Sequence, residues 1–208
     1  MEKIIVDRIE NVKGWFAAKE LERNSISCNN WDYQSDVNAD FVIGYDCDNL
    51  YLKFFVQESN TKAVNTKYNE PVYEDSCVEF FVSFDGEKYY NLEFNCIGNV
   101  LGGYGANRNN RERLATELLT KISTKPSLGK NRINIIDRKT EWSLEVVIPK
   151  AVFKNEEIKT FEGLKTTCNF YKCGDKQAFP HYLSWSPISV ENPDFHLPEF
   201  FGEVVFGN

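Results

Sequence analysis

The sequence predicts an all-β fold, a sandwich or barrel built mainly from antiparallel strands. Short runs with a two-residue hydrophobic period recur along the 208-residue chain, and turn-forming residues separate them. Alternating strand and helix units, which a dinucleotide-binding fold requires, do not occur in the sequence. No linker, internal repeat or low-complexity segment divides the chain, so we expect a single domain over residues 1–208.

Two hairpins are the clearest individual elements. Each consists of two alternating runs around a turn: residues 41–45 and 50–56 around 46–49, and residues 77–84 and 89–95 around 85–86. Four further runs are expected to be strands, the first two of them paired with each other: residues 132–136, 141–148, 165–172 and 200–206.

One or two short helices are expected beside the strands. Leucines and an isoleucine could share one helical face within Asn109–Ile122, and a short helical turn is expected at Lys150–Phe153 after Pro149. The glycines between residues 98 and 105 lack the lysine of a phosphate-binding loop. We therefore expect them to allow tight turns or a close approach of another backbone segment.

Charge and cysteine content limit the partners and the compartment. The net charge of −7 disfavours nucleic acid and anionic membranes as partners. No apolar run is long enough for a membrane span or a secretory leader, so a cytoplasmic location is expected, or an extracytoplasmic one if a leader has been removed. The six cysteines are scattered and predict free, mostly buried thiols, in keeping with a reducing compartment.

Two aromatic residues in polar loops are candidate sugar-binding residues. Tyr73 and Phe195 each precede a predicted strand and have carboxylate and amide side chains nearby. A flat ring can cover the apolar C–H face of a sugar while the polar neighbours bond its hydroxyl groups. Either ring could instead be part of the core.

Polar residues of the second hairpin would lie beside these rings. If its strands pair, Glu79 and Glu93 share one face with Asn91 and Asn95 and form a surface rich in hydrogen-bond acceptors. That face could equally be an ordinary solvated sheet surface. Paired carboxyl groups also raise the possibility of glycoside hydrolysis.

Other polar clusters have simpler interpretations. Arg108, Arg111 and Arg113 are expected to form a solvated helix face, although an acidic sugar could attract them. His196 is expected to be a loop histidine with its hydrogen bonds satisfied. Oxygen-bearing side chains at residues 46–49 could bind calcium, but a hairpin turn uses the same residue types and is favoured.

Four segments together resemble carbohydrate-binding module family 9, particularly its stand-alone relatives from gut bacteria. They are residues 74–82, 90–95, 142–149 and 184–187 with the later Phe201-Gly202, and the resemblance extends from Trp31 to Phe206. The resemblance implies a β-sandwich of jelly-roll type that binds the ends of sugar chains between two facing aromatic rings. Calcium is also common in that family.

The resemblance assigns roles to particular residues. The two aromatic positions, usually tryptophan in the family, fall on Tyr73 and Phe195, the acidic ligand residue falls on Glu79, and an amide falls on Asn192. The family's sugar-binding arginine would fall near Glu93, so the usual specificity for plain glucose or xylose ends does not carry over. Because tyrosine and phenylalanine offer smaller faces than tryptophan, stacking is expected to be weaker.

The expected function is non-catalytic binding of a mono- or oligosaccharide, held at a chain end. The expected binding residues are Tyr73, Phe195, Glu79 and Asn192, with Glu93 and Asn95 as secondary contacts. Two alternatives stay open: a glycoside hydrolase or other sugar-modifying enzyme that uses Glu79 and Glu93, and a protein-interaction sandwich. No cofactor is required, a structural calcium ion is possible, and the oligomeric state is open.

Overall fold

The computed structural model describes residues 2–18 and 20–207. In this part the chain forms sixteen strands: β1 (Lys3–Val6), β2 (Asn24–Ser25), β3 (Cys28–Asn29), β4 (Asn38–Tyr45), β5 (Asn49–Glu58), β6 (Thr61–Ala63), β7 (Cys77–Ser83), β8 (Tyr89–Asn95), β9 (Val100–Gly105), β10 (Arg111–Arg113), β11 (Ser123–Pro126), β12 (Ile133–Ile135), β13 (Thr140–Pro149), β14 (Lys165–Cys173), β15 (Tyr182–Ser184) and β16 (Gly202–Phe206). The helical segments are α1 (Val12–Ala17), α2 (Thr116–Leu119) and three 3-10 turns at Val72–Glu74, Lys150–Val152 and Pro198–Phe200.

The strands form two main sheets and a two-stranded ribbon. The large sheet has the order β1-β16-β14-β7-β8-β9-β10, with β15 and β3 attached to β14. The small sheet has the order β11-β13-β5-β4-β2, and β12 pairs with β6 in the ribbon. The prediction of a mainly antiparallel β-sandwich is confirmed, with one parallel pairing between β1 and β16.

The main hydrophobic core lies between the two sheets. Phe41 of β4 stacks on Phe170 of β14 with ring centroids 3.5 Å apart, so the aromatic contact joins one sheet to the other. Val78 and Phe80 of β7 face the same core. The two-residue period of the strands supplies these contacts because alternate side chains point to the same face.

The outer face of the large sheet carries a second apolar cluster. Phe81 of β7 and Tyr171 of β14 belong to it, together with Phe195 and Phe201 from the segment before β16. Every residue of β7 and β8 is therefore buried, although their side chains alternate between two faces. The segment before β16 therefore covers part of the outer face of the large sheet, which the sequence alone allowed to be solvated.

Both predicted hairpins are confirmed, since β4 pairs with β5 and β7 pairs with β8. The first turn is a hairpin turn, as favoured: the Asp46 carboxylate accepts hydrogen bonds from the backbone N–H groups of Asp48 and Asn49, each at 2.8 Å, and from the Tyr51 hydroxyl. The short helical turn after Pro149 and the strands near residues 165–172 and 200–206 are also present.

Two expectations about local structure are wrong. The run at 132–136 does not pair with the run at 141–148: β12 pairs with β6, while β13 lies between β5 and β11. Only Thr116–Leu119 of the helix expected at Asn109–Ile122 is helical, and residues 111–113 extend as β10. In the first case pairing with the distant strand β6 overrides the local pattern, and in the second case a hairpin with the neighbouring strand β9 does so.

The cysteines fit the expectation of mostly buried thiols. Four are buried, while Cys28 is half-buried and Cys47 is exposed. Neither helix in the described residues has the length and apolarity needed to span a membrane.

Candidate functional site

A pocket of about 370 Å³ on the outer face of the large sheet brings together four of the six predicted site residues. Tyr73, Glu79, Glu93 and Phe195 all line it. Glu79 and Glu93 come from the paired strands β7 and β8, Tyr73 from the preceding 3-10 turn, and Phe195 from the segment before β16. Residues separated by more than a hundred positions in the chain therefore share one concave surface.

Glu79 and Glu93 form the acidic floor of the pocket. They are direct partners in the register of β7 and β8, as the predicted hairpin requires. They are only 3% and 2% exposed, so the face they share is buried and is not a solvated sheet surface. Burial, together with the neighbouring Glu93 carboxyl group, holds the pKa of Glu79 well above its ordinary value.

The Glu93 carboxyl group is only partly satisfied by its neighbours. Burial raises its pKa to about 7, although the positive charges of Arg111 and Arg113 oppose the rise. Asn91 Nδ2 donates to Oε1 at 2.9 Å. Oε2 is buried and has no hydrogen-bond partner among the described residues. A buried acceptor without a partner in the pocket floor is a position to which a ligand hydroxyl group can donate a hydrogen bond.

The two aromatic residues differ in how much ring they offer. Phe195 stacks on Tyr171 with centroids 4.1 Å apart and planes 9° from parallel, and it is 9% exposed. One face is therefore covered by protein. Tyr73 is half-buried and forms no aromatic pair among residues 2–18 and 20–207. Both rings pack against the second apolar cluster and line the pocket, so Tyr73 is the freer of the two.

The structure does not bring Asn95 to the pocket. Its Nδ2 donates to Asp75 Oδ2 at 2.9 Å and to the Asn65 carbonyl at 2.8 Å, while its Oδ1 accepts from the Asn99 N–H. These hydrogen bonds join the end of β8 to the loop before β7 and to the turn after β8. The expectation of a sugar contact from Asn95 is corrected because its hydrogen-bonding capacity is already used.

Asn192 also lies outside the pocket lining. Its side chain is exposed, and the adjoining Pro193 and Asp194 line the pocket instead. The loop that contains Phe195 therefore lines the pocket, but Asn192 does not contribute to the lining.

Three arginines form a wall of the pocket that the sequence did not predict. Arg108, Arg111 and Arg113 line it, presented by the turn before β10 and by β10 itself. The expected helix is thus wrong, because the segment pairs with β9 as a strand, but Arg108 and Arg113 are exposed as expected. The sequence Asn107–Asn110 could have indicated a turn at this position, because asparagine favours turns. In the structure, Asn107 Oδ1 accepts hydrogen bonds from the backbone N–H groups of Asn109 and Asn110.

The glycines of β9 allow this strand to approach closely. A Cβ atom on Gly105 would lie 2.2 Å from the carbonyl oxygen of Asn110 and 2.4 Å from Cα of Arg111. The expectation that these glycines permit a close backbone approach is therefore confirmed for Gly105. Its absent side chain sets the distance between β9 and the strand that carries the arginines.

His196 and Asp175 complete the polar lining. The Tyr89 hydroxyl lies 2.9 Å from His196 Nδ1, and Arg111 Nη1 lies 2.9 Å from each ring nitrogen. Burial and the nearby arginines lower the pKa of His196 to about 2, so this imidazole is neutral. Burial raises the pKa of Asp175 to about 6, opposed by Arg108, so its carboxyl group is mostly ionised at neutral pH.

A group of buried side chains that could hold a metal ion by geometry includes Glu79 and Cys173 of the pocket lining. Cys77 Sγ, a Glu79 carboxylate oxygen and Cys173 Sγ lie within 4.8 Å of one another. Burial raises the pKa of Cys77 to about 12 and that of Cys173 well above its ordinary value, and Cys173 donates to Glu79 Oε1 at 3.1 Å. Since metal binding needs thiolates, the hydrogen-bonded protonated state fits these residues better. The structural calcium ion stays a prediction.

A sequence model described as carbohydrate-binding family 9 matches residues 10–206. The chain belongs to this family. A crystal structure of a candidate carbohydrate-binding protein from Bacteroides uniformis is 33% identical, with a TM-score of 0.92 and 99% of each chain covered. No curated protein matches the chain significantly.

More distant family 9 structures share the fold. A module from Caldicellulosiruptor kristjanssonii in complex with glucose is 17% identical, with a TM-score of 0.61, and covers 100% of this chain and 97% of its own. The structure of a family 9 module from the same organism with cellotriose gives 17% identity and a TM-score of 0.60, covering 99% and 94%.

Proposed function

We propose that this family 9 protein binds the end of a saccharide chain, without cleaving it, in the pocket of the large sheet. The observation that carries the proposal is the convergence of Tyr73, Glu79, Glu93 and Phe195 on one surface. Aromatic rings and hydrogen-bond acceptors are the two groups that a sugar needs, since a pyranose has apolar C–H faces and a rim of hydroxyl groups.

The polar groups of the floor suit neutral hydroxyl donors. Glu93 Oε2 has no hydrogen-bond partner among the described residues and can accept from a sugar hydroxyl. Glu79 carries a raised pKa, so in its protonated form it can donate to a hydroxyl oxygen. One carboxyl group can therefore accept a hydrogen bond from a sugar hydroxyl group, and the other can donate one to a hydroxyl oxygen.

The size of the pocket favours a chain end. Its volume of about 370 Å³ is at the small end of ordinary ligand sites. Because Phe195 is largely covered and Tyr73 has a smaller face than tryptophan, we expect an affinity in the micromolar to millimolar range, about −8 to −4 kcal/mol.

Calorimetric titration of two variants tests the proposal. Tyr73→Ala removes the freer ring and is expected to weaken saccharide binding by about tenfold, the effect of one lost aromatic contact. Phe195→Leu keeps the apolar contact with Tyr171 while removing the aromatic face, and it is expected to weaken binding less.

Tyr68→Ala and Phe179→Ala are matched controls, since both side chains are exposed and lie outside the pocket lining. Wild-type binding with unchanged affinity in both pocket variants would exclude the aromatic site. No heat with any of a panel of neutral and acidic saccharides would exclude the function.

Glycoside hydrolysis is the second candidate, favoured by the paired carboxyl groups with raised pKa values. A general acid needs a raised pKa, and both Glu79 and Glu93 have one. Incubation with chromogenic glycosides separates the two functions. A binding protein gives no turnover, whereas turnover lost in both Glu79→Gln and Glu93→Gln would identify a hydrolase.

The open pocket also bears on the third hypothesis, an interaction sandwich. That hypothesis predicts buried aromatic residues without a groove. The pocket between Tyr73 and the acidic floor supports a small polar ligand instead.

A further inference from the structure

We propose that the saccharide carries a carboxylate group, as a uronic acid does, and that the arginine wall of the pocket binds it. This inference rests on the proposed function, because it names the class of sugar that the same pocket takes. Arg108, Arg111 and Arg113 line the pocket together.

The three arginines have no anionic partner in the part of the chain that the structure describes. None of them lies within 4.0 Å of a carboxylate oxygen among the described residues, whereas other basic side chains, such as Lys150 and Lys176, form ion pairs at 2.8 Å. Guanidinium groups usually pair with carboxylates or phosphates where they are available. Three unpaired guanidinium groups on one wall therefore leave room for an anion from outside.

The arginines nevertheless lie close enough to lower the pKa values of acidic groups in the pocket. Arg111 and Arg113 counteract the rise in the pKa of Glu93, and Arg108 counteracts the rise in the pKa of Asp175. The charges influence one another across the pocket without contact. A ligand between wall and floor would place an anionic group on the guanidinium side and hydroxyl groups on the acidic side.

The positive charge of the pocket lining belongs to the three arginines, while its acidic groups are Glu79, Glu93, Asp175 and Asp194. His196 is neutral because its pKa is lowered to about 2, so Arg111 and the other guanidinium groups carry the positive charge there. The protein as a whole has a net charge of −7, which repels anions elsewhere on its surface. A planar carboxylate can accept two parallel hydrogen bonds from one guanidinium, which a neutral hydroxymethyl group cannot do.

Matched sugars isolate the contribution of the carboxylate. Calorimetric titration compares glucuronate with its methyl ester, which keeps the ring and hydroxyl groups but removes the charge, and with glucose. We expect glucuronate to bind at least tenfold more tightly than the ester, as a charge-assisted hydrogen bond would give. This advantage is expected to shrink at high salt because the arginines at the wall are partly exposed.

Variants locate the effect. Arg108→Gln/Arg113→Gln is expected to reduce the affinity for glucuronate about tenfold and to change the affinity for the ester less than threefold. Both side chains are exposed, so the variant is expected to fold. Arg138→Gln is the matched control, since Arg138 is exposed and lies outside the pocket lining.

The outcomes separate this inference from the proposed function. Equal binding of glucuronate, ester and glucose would overturn the inference and leave sugar binding intact, as would equal losses for all three in the arginine variant. Glucose 6-sulfate is a further arm, and tighter binding of the sulfate than of glucuronate would overturn the carboxylate assignment. No binding of any sugar would overturn both proposals.

Discussion

At the scale of single residues, Glu79 and Glu93 combine hydrogen-bonding capacity with almost complete burial. They lie side by side on paired strands, and each has a raised pKa because the charged form loses water. Arg111 limits the rise for both, although it makes no ion pair with either. The consequence is a pocket floor whose charge changes near neutral pH.

Glu93→Gln tests this pH dependence. The pKa of Glu93 is about 7 in the folded protein and near 4.5 in the unfolded chain, so its stabilising effect is complete below pH 4.5 and is lost as the pH rises through 7. Between pH 5 and pH 8, wild type is expected to lose about 2 kcal/mol more unfolding free energy than the variant.

Chemical denaturation at both pH values gives this difference. Subtraction of the variant removes contributions from titrating groups that do not interact with Glu93, and the difference includes any change in the pKa of Glu79, which the Glu93 carboxyl group raises. Glu87→Gln is the control because Glu87 is exposed in the turn after β7. Parallel stability curves for wild type and Glu93→Gln would contradict the raised pKa.

The thiols give a second prediction at this scale. Cys47 is exposed, whereas burial raises the pKa values of Cys77, Cys168 and Cys173. Since only the thiolate reacts, a thiol-specific chromogenic reagent is expected to modify one cysteine rapidly in the folded protein and all six after denaturation. Cys47→Ser is expected to abolish the rapid phase, since Cys28 is half-buried with a raised pKa and the other four are buried. A rapid phase that persists would contradict the assignment to Cys47.

At the scale of elements, the β9–β10 hairpin decides what the pocket can bind. Its register pairs Gly105 with Arg111 and Gly103 with Arg113. Because Gly105 lacks a side chain, β10 can lie close against β9, whereas a Cβ atom on Gly103 would meet the side chain of Asn91 in β8. The positive wall of the pocket therefore depends on Gly105 in the neighbouring strand.

Gly105→Ala tests this dependence. Its Cβ would meet backbone atoms of residues 110 and 111 at 2.2–2.4 Å, and backbone cannot move aside as a flexible side chain can. We expect a loss of unfolding free energy on the order of 2 kcal/mol and weaker saccharide binding. Gly207→Ala is the control because its Cβ would lie 3.4 Å from the nearest atom. Unchanged stability and affinity in Gly105→Ala would show that β10 is not held by this contact.

At the scale of the whole molecule, a buried ion pair joins the two sheets beside the aromatic core. The side chains of Lys172 in β14 and Glu58 in β5 are 0% and 1% exposed. Lys172 Nζ lies 2.9 Å from Glu58 Oε2, but the angles at these atoms do not fit a hydrogen bond. His181 Nε2 lies 2.7 Å from the same Nζ, and Trp142 Nε1 donates to Glu58 Oε1 at 2.7 Å. Lys172 and Glu58 are therefore each in contact with a polar partner from another part of the chain.

Lys172→Met is expected to destabilise the protein by about 3–5 kcal/mol because it leaves the Glu58 carboxylate buried without a counter-charge. Glu58→Gln/Lys172→Met removes both charges while keeping an acceptor for Trp142, and it is expected to recover more than half of that loss. Thermal and denaturant unfolding of the two variants measure this coupling. A double variant no more stable than Lys172→Met would contradict an ion-pair origin.

The local elements of this fold could be predicted from the sequence, while the pairing of distant strands could not. Alternation and turn residues act over a few positions, and they correctly predicted the β4–β5 and β7–β8 hairpins and the shared face of Glu79 and Glu93. The pairing of β12 with β6 depends on residues about 70 positions away and follows no local signal.

By itself the sequence determined the sandwich, the acidic pair and the loop containing Phe195, because side-chain period and turn chemistry are properties of neighbouring residues. Only the tertiary structure decided that Phe195 stacks on Tyr171, that Asn95 is used within the protein, and that an arginine wall closes the pocket. These features depend on which distant segments cover the outer face of the large sheet, and that choice is made by packing over the whole molecule.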